Sequence, residues 1–334
     1  MAGSRIREIG IKKARLFAFI VIIAFLLLPF IYPRVLIMRT LNTTFIYAVC
    51  AIGWALVGGY TGLFSLGHSA FFGLGAYCLA WLYLAYGVHP IIGILLGIGS
   101  SVILACGIAL ISARLRGVYF ALSTIGILLV LMYVMRTFTY FEWRGAPSGG
   151  GIGVPVAPEL MLPLSTSYLL SFGIVLLGTY FLYKVEKSKF GHYLIAIRED
   201  EDVAASLGVP VLKYKTIATI ISSVFATIGG FIFASSTFHL NPDLTFSLDR
   251  SIDMLIIAVL GGSGTFIGPF VGALIWAPLI EYVRWNWGAT YIGLPKILSG
   301  TVLLLIFLIS PTGIVPPIQR KFLKRKKHGM IKNA

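Results

Sequence analysis

Charge is what this sequence has least of. Of its 334 residues, only 12% are Asp, Glu, Lys or Arg, and 58% are hydrophobic. A soluble domain carries about 25% charged residues, and they form the shell that keeps it dissolved. The missing shell excludes a freely soluble globule. Cysteine is also scarce. Cys50, Cys78 and Cys106 each lie within an apolar run, with no metal-ligand spacing. They read as small apolar fillers of helices. No Gly-x-x-x-x-Gly-Lys-Ser/Thr phosphate loop occurs. The glycine-rich stretch from Gly261 to Gly268 has no lysine after it. Any ATP must therefore be hydrolysed by another chain. The five histidines are scattered, and no Ser/His/Asp arrangement stands out. Neither catalytic residues, nor a metal, nor a cofactor is expected, and the chain reads as no enzyme in its own right.

Long apolar runs fill the space that charge leaves. No Asp, Glu, Lys or Arg occurs between Thr40 and Ala113. Similar runs are Leu16–Pro33, Gly117–Met135, Leu160–Tyr183, Thr216–Pro242, Met254–Ile280 and Ile297–Gln319. A charge at the bilayer centre costs about 2.5–3.5 kcal/mol on insertion scales, and a crossing helix needs about 20 apolar residues. Spans are predicted near 16–36, 41–59, 66–86, 90–112, 117–138, 166–184, 215–237, 251–264, 266–284 and 290–310. The fold class is all-α: a polytopic transmembrane helical bundle of eight to ten spans. The short segment 251–264, ending in Gly261-Gly262, leaves room for a re-entrant or broken helix.

Basic residues set the orientation. The net charge is +15, but it lies in short segments between apolar runs and not in a nucleic-acid-binding motif. With both termini in the cytoplasm, inside segments hold 20 of the 27 Lys and Arg residues, as the positive-inside rule requires. Residues 1–15 are then a cytoplasmic basic arm, 16–319 the membrane domain and 320–334 a cytoplasmic basic tail. An external loop covers 139–165 and a cytoplasmic loop 185–214. The expected location is the inner or plasma membrane, with lipid as the surrounding partner.

Four of the twelve acids cluster in the cytoplasmic loop, at Glu199, Asp200, Glu201 and Asp202. Asp202 and the acids before it suit a helix N-terminus. Val203, Ala204 and Ala205 can continue the helix, and Leu207 can supply an apolar contact. Gly208 suits the position just past its end, with Pro210 as a stop. On residues alone, a capped helix in a solvated connector is an equal reading. In the run Gly58–Tyr77, close-spaced Gly and Ser let helices approach or unwind. Ser65, His68 and Ser69 are placed near one membrane face. An intramembrane His is a functional candidate by default, although a structural His satisfied by Ser65 or a backbone carbonyl is the commoner outcome. Asp253, beside Arg250, reads as an interfacial ion pair or as a lock near the Gly261-Gly262 break.

These stretches resemble the permeases of branched-chain amino-acid ABC importers. Asp202, Ala204, Ala205 and Gly208 are similar to the coupling signature of importer permeases, with Val203 set between acid and alanines. Ala196, Arg198, Glu199, Glu201, Ala204, Ala205, Leu207 and Gly208 resemble the branched-chain version more closely. The Ser65-Leu-Gly-His68-Ser69-Ala-Phe-Phe-Gly stretch is similar to another family motif. So are Gly117-Val-Tyr119-Phe-Ala-Leu-Ser-Thr124 and Ser251-Ile-Asp253 through Gly261-Gly262 to Pro269. The resemblance runs from about residue 48 to 275 and departs at Arg144-Gly-Ala in the external loop. It implies a permease subunit for Leu, Ile or Val, working with a sister permease, two cytoplasmic ATPase subunits and a soluble substrate-binding protein. Arg198, Glu199, Glu201, Asp202, Ala204, Ala205 and Gly208 would couple to the ATPase. Ser65, His68, Ser69, Tyr119, Thr124, Asp253, Gly261 and Gly262 would line or gate the path. Urea and short-amide permeases share the motifs. An ion-coupled carrier is the alternative class, but the longest run, Thr40 to Ala113, holds only two histidines, His68 and His89, and no charged residue between its ends.

Overall fold

In lipid a backbone has no water to bond, so an apolar run must satisfy its own N–H and C=O groups by coiling. The computed structural model describes residues 22–29, 31, 34–142, 154–288, 290–291, 293–309 and 313–317. Residues 22–29 are helical. The long helices after them are α1 (Val35–Trp54), α2 (His68–Tyr86), α3 (Pro90–Ser112), α4 (Gly117–Glu142) and α5 (Leu164–Glu186). Then come α6 (Lys189–Glu199), α7 (Glu201–Ser206), α8 (Val211–Ala234), α9 (Pro242–Thr245), α10 (Leu248–Gly261), α11 (Gly268–Trp287) and α12 (Leu294–Ile309). One two-stranded antiparallel ribbon, β1 (Val154–Pro155) with β2 (His239–Leu240), ties two connections together. Among the described residues, five helical segments are long and apolar enough to cross a membrane, with shorter apolar helices beside them. The protein is an all-α polytopic membrane bundle, and each span predicted from 41 to 310 has its helix. The basic arm, the basic tail and Arg144 lie outside the described residues.

α1 is the axis of the bundle. From Asn42 onward almost every side chain is buried, against α5, α8, α10 and α11. Helices apolar all round belong in a core or in lipid. α3 and α4 are of the second kind, with Ile92, Leu96, Ile103, Leu122 and Val130 facing outward. Polar side chains tie the core helices together. Asn42 Oδ1 accepts from Ser167 Oγ (3.3 Å) and Ser171 Oγ (3.0 Å), and Thr227 Oγ1 bonds Ser101 Oγ (2.7 Å). α2 and α8 touch backbone to backbone: a Cβ on Gly230 would strike the Phe72 carbonyl, and one on Gly75 the Thr227 carbonyl.

The helical pattern is interrupted at two places inside the bundle. At the end of α1 the coil widens over Ala55–Tyr60, and Thr61 N–H reaches back five residues to the Leu56 carbonyl. Wide turns of this type gather at functional sites. Residues 61–67 are then non-helical until α2 begins at His68. The second interruption lies between α10 and α11, where Gly262 has φ +108, a left-handed conformation that only glycine adopts freely. α10 runs from the end of the bundle bearing Arg250 and Lys296 to the end bearing Glu186 and Arg198, instead of turning back.

Candidate functional site

The loop between α5 and α8 holds two short helices. Ser188 Oγ accepts from Gly191 N–H (3.1 Å) and caps α6. Asp200 Oδ1 accepts from Asp202 N–H (2.9 Å) and Val203 N–H (3.0 Å) and caps α7. The cap is therefore Asp200 and not Asp202, because α7 starts at Glu201 and the capping position is the residue before it. Gly208 closes the other end with φ +84. Its N–H bonds the Ala205 carbonyl (2.9 Å), and Val209 N–H bonds that of Ala204 (3.1 Å), the paired closure expected of a glycine just past a helix end.

α7 turns Ala204 inward, at 2% exposure, and Val203 and Leu207 outward, at 55% and 78%. The contact expected of Leu207 is thus not made within this chain. The acids point back at the bundle. Glu201 Oε2 lies 2.6 Å from Lys215 Nζ on α8 and 3.6 Å from Arg116 Nε. Asp202 takes both arms of the Arg116 guanidinium, at 2.9 and 3.0 Å, the bidentate geometry that carboxylate and guanidinium favour. Glu199 pairs with Arg198 (2.6 Å), and Arg198 also donates to the Gly59 carbonyl (2.9 Å). An open cleft of about 340 Å³ lies among these groups and the Thr61–Leu63 backbone.

Arg116 holds the Asp202 carboxyl below its usual range, through its hydrogen bonds first and its charge second, and Asp202 raises Arg116 in turn. A lowered carboxylate contributes above its ordinary range, about pH 4, and the contribution is lost as pH falls through the lowered value. A mobility probe attached at Ala205 should therefore report the same ordering from about pH 8 to pH 5 and loosening only below that range.

A second cluster lies deep in the bundle. His68 Nε2 is 2.7 Å from Ser222 Oγ, and its Nδ1 is 3.2 Å from Ser65 Oγ. Ser222 is the twelfth of the 24 residues of α8, so it sits about 16 Å from that helix's start. His68 and Ser69 are thus opposite the middle of α8, because the non-helical residues 61–67 carry the chain inward before α2 begins. Ser69 N–H donates to Ser251 Oγ (2.9 Å), Leu66 N–H to Thr124 Oγ1 (3.0 Å), and Trp54 Nε1–H to the Ser65 carbonyl (2.8 Å). His68 is a satisfied histidine, as the commoner reading of its residue type expects. Trp54, Ser222 and Ser251 belong to this cluster, and sequence reasoning does not single them out. A signal exists for Ser222: Lys215, Thr219 and Ser222 recur at i, i+4 and i+7, a polar stripe on one face of an otherwise apolar helix.

Asp253 pairs with Arg284 and not with Arg250. Arg284 reaches Oδ2 at 2.7 Å, Trp276 Nε1–H donates to Oδ1 at 3.0 Å, and Ser299 Oγ lies 3.5 Å away. α10 presents Asp253 to α11 and α12. Arg250 turns the other way, stands over the rings of Phe72 and Phe233 and donates to the Leu244 carbonyl. Asp253 thereby joins three helices, about 12 Å along α10 from Gly261. Gly261 and Gly262 form the break itself, closed by Ile314 N–H on the Leu260 carbonyl (2.8 Å). Tyr119 stands apart, outward on α4 at 72% exposure. Among the described residues, no three His, Cys, Asp or Glu side chains gather as metal ligands would.

Comparison with known proteins adds to this geometry. A family model described as "Branched-chain amino acid transport system / permease component" matches residues 36–311. The chain is similar to the high-affinity branched-chain amino acid transport system permease protein LivM of Salmonella typhimurium, 26% identical over 334 residues, covering 91% of this chain and 75% of that protein. Likeness to LivM of Escherichia coli is 26% over 329 residues, covering 88% and 74%. Likeness to the autoinducer 2 import system permease protein LsrC of an Enterobacter species is 28% over 173 residues, about half of each chain. No solved structure matches.

Proposed function

This chain belongs to the family of branched-chain amino acid transport permeases, and we propose that it forms one membrane half of an ABC importer that carries Leu, Ile or Val across the cell membrane. ATP hydrolysis belongs to separate ATPase subunits. A soluble binding protein delivers the substrate, and a sister permease completes the path. The LivM likenesses over most of the chain support the substrate class.

One observation carries the coupling assignment. α7 is six residues long, is capped at both ends, and presents Val203 and Leu207 side by side to the outside. A helix this short is not stable alone. Its caps and its ion pairs to Arg116 and Lys215 hold it ready for a partner. The exposed pair gives an ATPase surface an apolar knob, and the inward acids tie that knob to α4 and α8. Buried ionisable groups could instead have favoured an ion-coupled carrier, but Asp253 and Lys215 each face an opposite charge inside this chain.

The test is reconstitution with ATPases and binding protein. Uptake of labelled leucine should require ATP and persist without a sodium or pH gradient. Val203→Glu with Leu207→Glu should abolish ATPase co-purification and uptake, while the permease still inserts. Gradient-driven uptake without ATP would overturn the importer reading, and full activity in the double variant would overturn the docking assignment.

A further inference from the structure

Residues 61–67 hold their shape through other elements. Thr61 and Leu63 bond back to the wide turn, at the Leu56 and Val57 carbonyls. Beyond them the backbone depends on side chains: Leu66 N–H on Thr124 of α4, Gly67 N–H on Ser65, and the Ser65 carbonyl on Trp54 of α1. His68, at the start of α2, is held by Ser222 of α8. Glycines permit the fit at both ends. Gly62 has φ +73 beside Arg198, and a Cβ on Gly67 would lie 2.6 Å from the Thr124 carbonyl.

The helices that hold this stretch are also the helices that α7 holds. Glu201 grips Lys215, which lies two turns below Ser222 on the same face of α8. Asp202 grips Arg116, the residue before α4, and Thr124 lies two turns into that helix. α6 adds a third mooring through Arg198 on the Gly59 carbonyl. The first two paths each run along one helix between two specific contacts.

We propose that residues 61–67 with the head of α2 are the element the ATPases move, and that Lys215 and Arg116 are positioning residues that carry the motion to it through Ser222 and Thr124. This rests on the importer reading. Backbone at membrane depth goes wherever its hydrogen-bond partners are. A shift of α8 against α4 therefore offers the stretch a second discrete set of partners. Packed interfaces respond to such shifts by switching between arrangements, not by bending gradually.

The experiment uses the complete reconstituted transporter, with native cysteines replaced and Phe64→Cys as the reporter. Trapping with ATP and vanadate should change the maleimide labelling rate of that cysteine several-fold. Thr124→Val and Ser222→Ala each remove one hydroxyl at nearly constant shape. Each should abolish that change and lower substrate imported per ATP hydrolysed by about fivefold or more, the worth of one net hydrogen bond in a two-state equilibrium. ATPase co-purification should be unaffected. Arg116→Gln, at an exposed site, should uncouple in the same way without loss of folding. Unchanged labelling on trapping, in a reporter chain that still imports, would overturn the proposal. So would wild-type import per ATP in both core variants. A parent chain that binds no ATPase would overturn the importer reading, and the proposal with it.

Discussion

Arg284→Met should be among the most damaging single substitutions in the described chain. Asp253 is 1% exposed, and without Arg284 its carboxylate keeps, among the described residues, the Trp276 N–H and the Ser299 hydroxyl. Breaking a buried pair by removing one partner costs about 3–5 kcal/mol, because the remaining charge stays buried and uncompensated. Asp253→Asn should cost less. Arg284 is one-third exposed and already touches Glu281 at 3.1 Å, so its guanidinium can turn outward on its long stem. The double variant Arg284→Met with Asp253→Leu should recover most of the loss, since it removes the buried carboxylate and leaves only the part-exposed Glu281 without Arg284. Thermal unfolding in detergent, followed by size exclusion, gives the order: Arg284→Met lowest, Asp253→Asn between, the double variant near the parent. An Arg284→Met protein that melts with the parent would remove the lock assigned to this pair.

Gly230→Leu should be comparably severe for a different reason. Its Cβ would strike the Phe72 carbonyl and backbone, not the end of a flexible side chain. Overpacking in a core costs about 1–3 kcal/mol even where side chains can yield, and here α2 and α8 themselves must separate. That separation would also pull His68 from Ser222. Gly107→Ala on α3 is the matched control. Nothing lies near its Cβ position, and exchanging a mid-helix Gly for Ala favours the helix by up to about 1 kcal/mol. Expression and monodispersity in detergent should collapse for the first and hold or improve for the second. Equal behaviour of the two would contradict the close approach of α2 and α8.

The helices were legible because lipid leaves the chain few choices. A charge-free run of 20 residues must coil, so charge marked out the helical regions, and length divided the run from Thr40 to Ala113 into three spans. The α7 helix was legible too: acid, small residues, glycine and proline stand in the order that capping chemistry demands. Its cap stayed open among the four acids, because all of them suit the role and only the starting point of the helix selects Asp200. The deep cluster was not legible in the same way. The partners of His68, Leu66 and Ser69 come from positions 222, 124 and 251, and distance along the chain hides them. Asp253 misled for a similar reason. Arg250 is near in sequence, but the antiparallel return of α11 brings Arg284 instead. Carrying Ser65, His68, Ser69 and Thr124 over from motif resemblance placed four residues in one cluster, whereas Tyr119, from the same motif as Thr124, faces outward.

The non-helical stretch before α2 also orders events at synthesis. When residues 61–67 first meet the bilayer, α4 and α8 are not yet made. Until residue 124 emerges, the Leu66 N–H has no partner from α4, and until residue 222 emerges His68 has none from α8. An unsatisfied backbone group in hydrocarbon costs several kcal/mol. The nascent pair of α1 and α2 must therefore wait, wet or sheltered by the insertion machinery, and is completed only when a helix about 150 residues later slides in beside it. In a chain truncated before α8 the seam at His68 would stay unfinished, although among the described residues four earlier helical segments are long and apolar enough to cross a membrane.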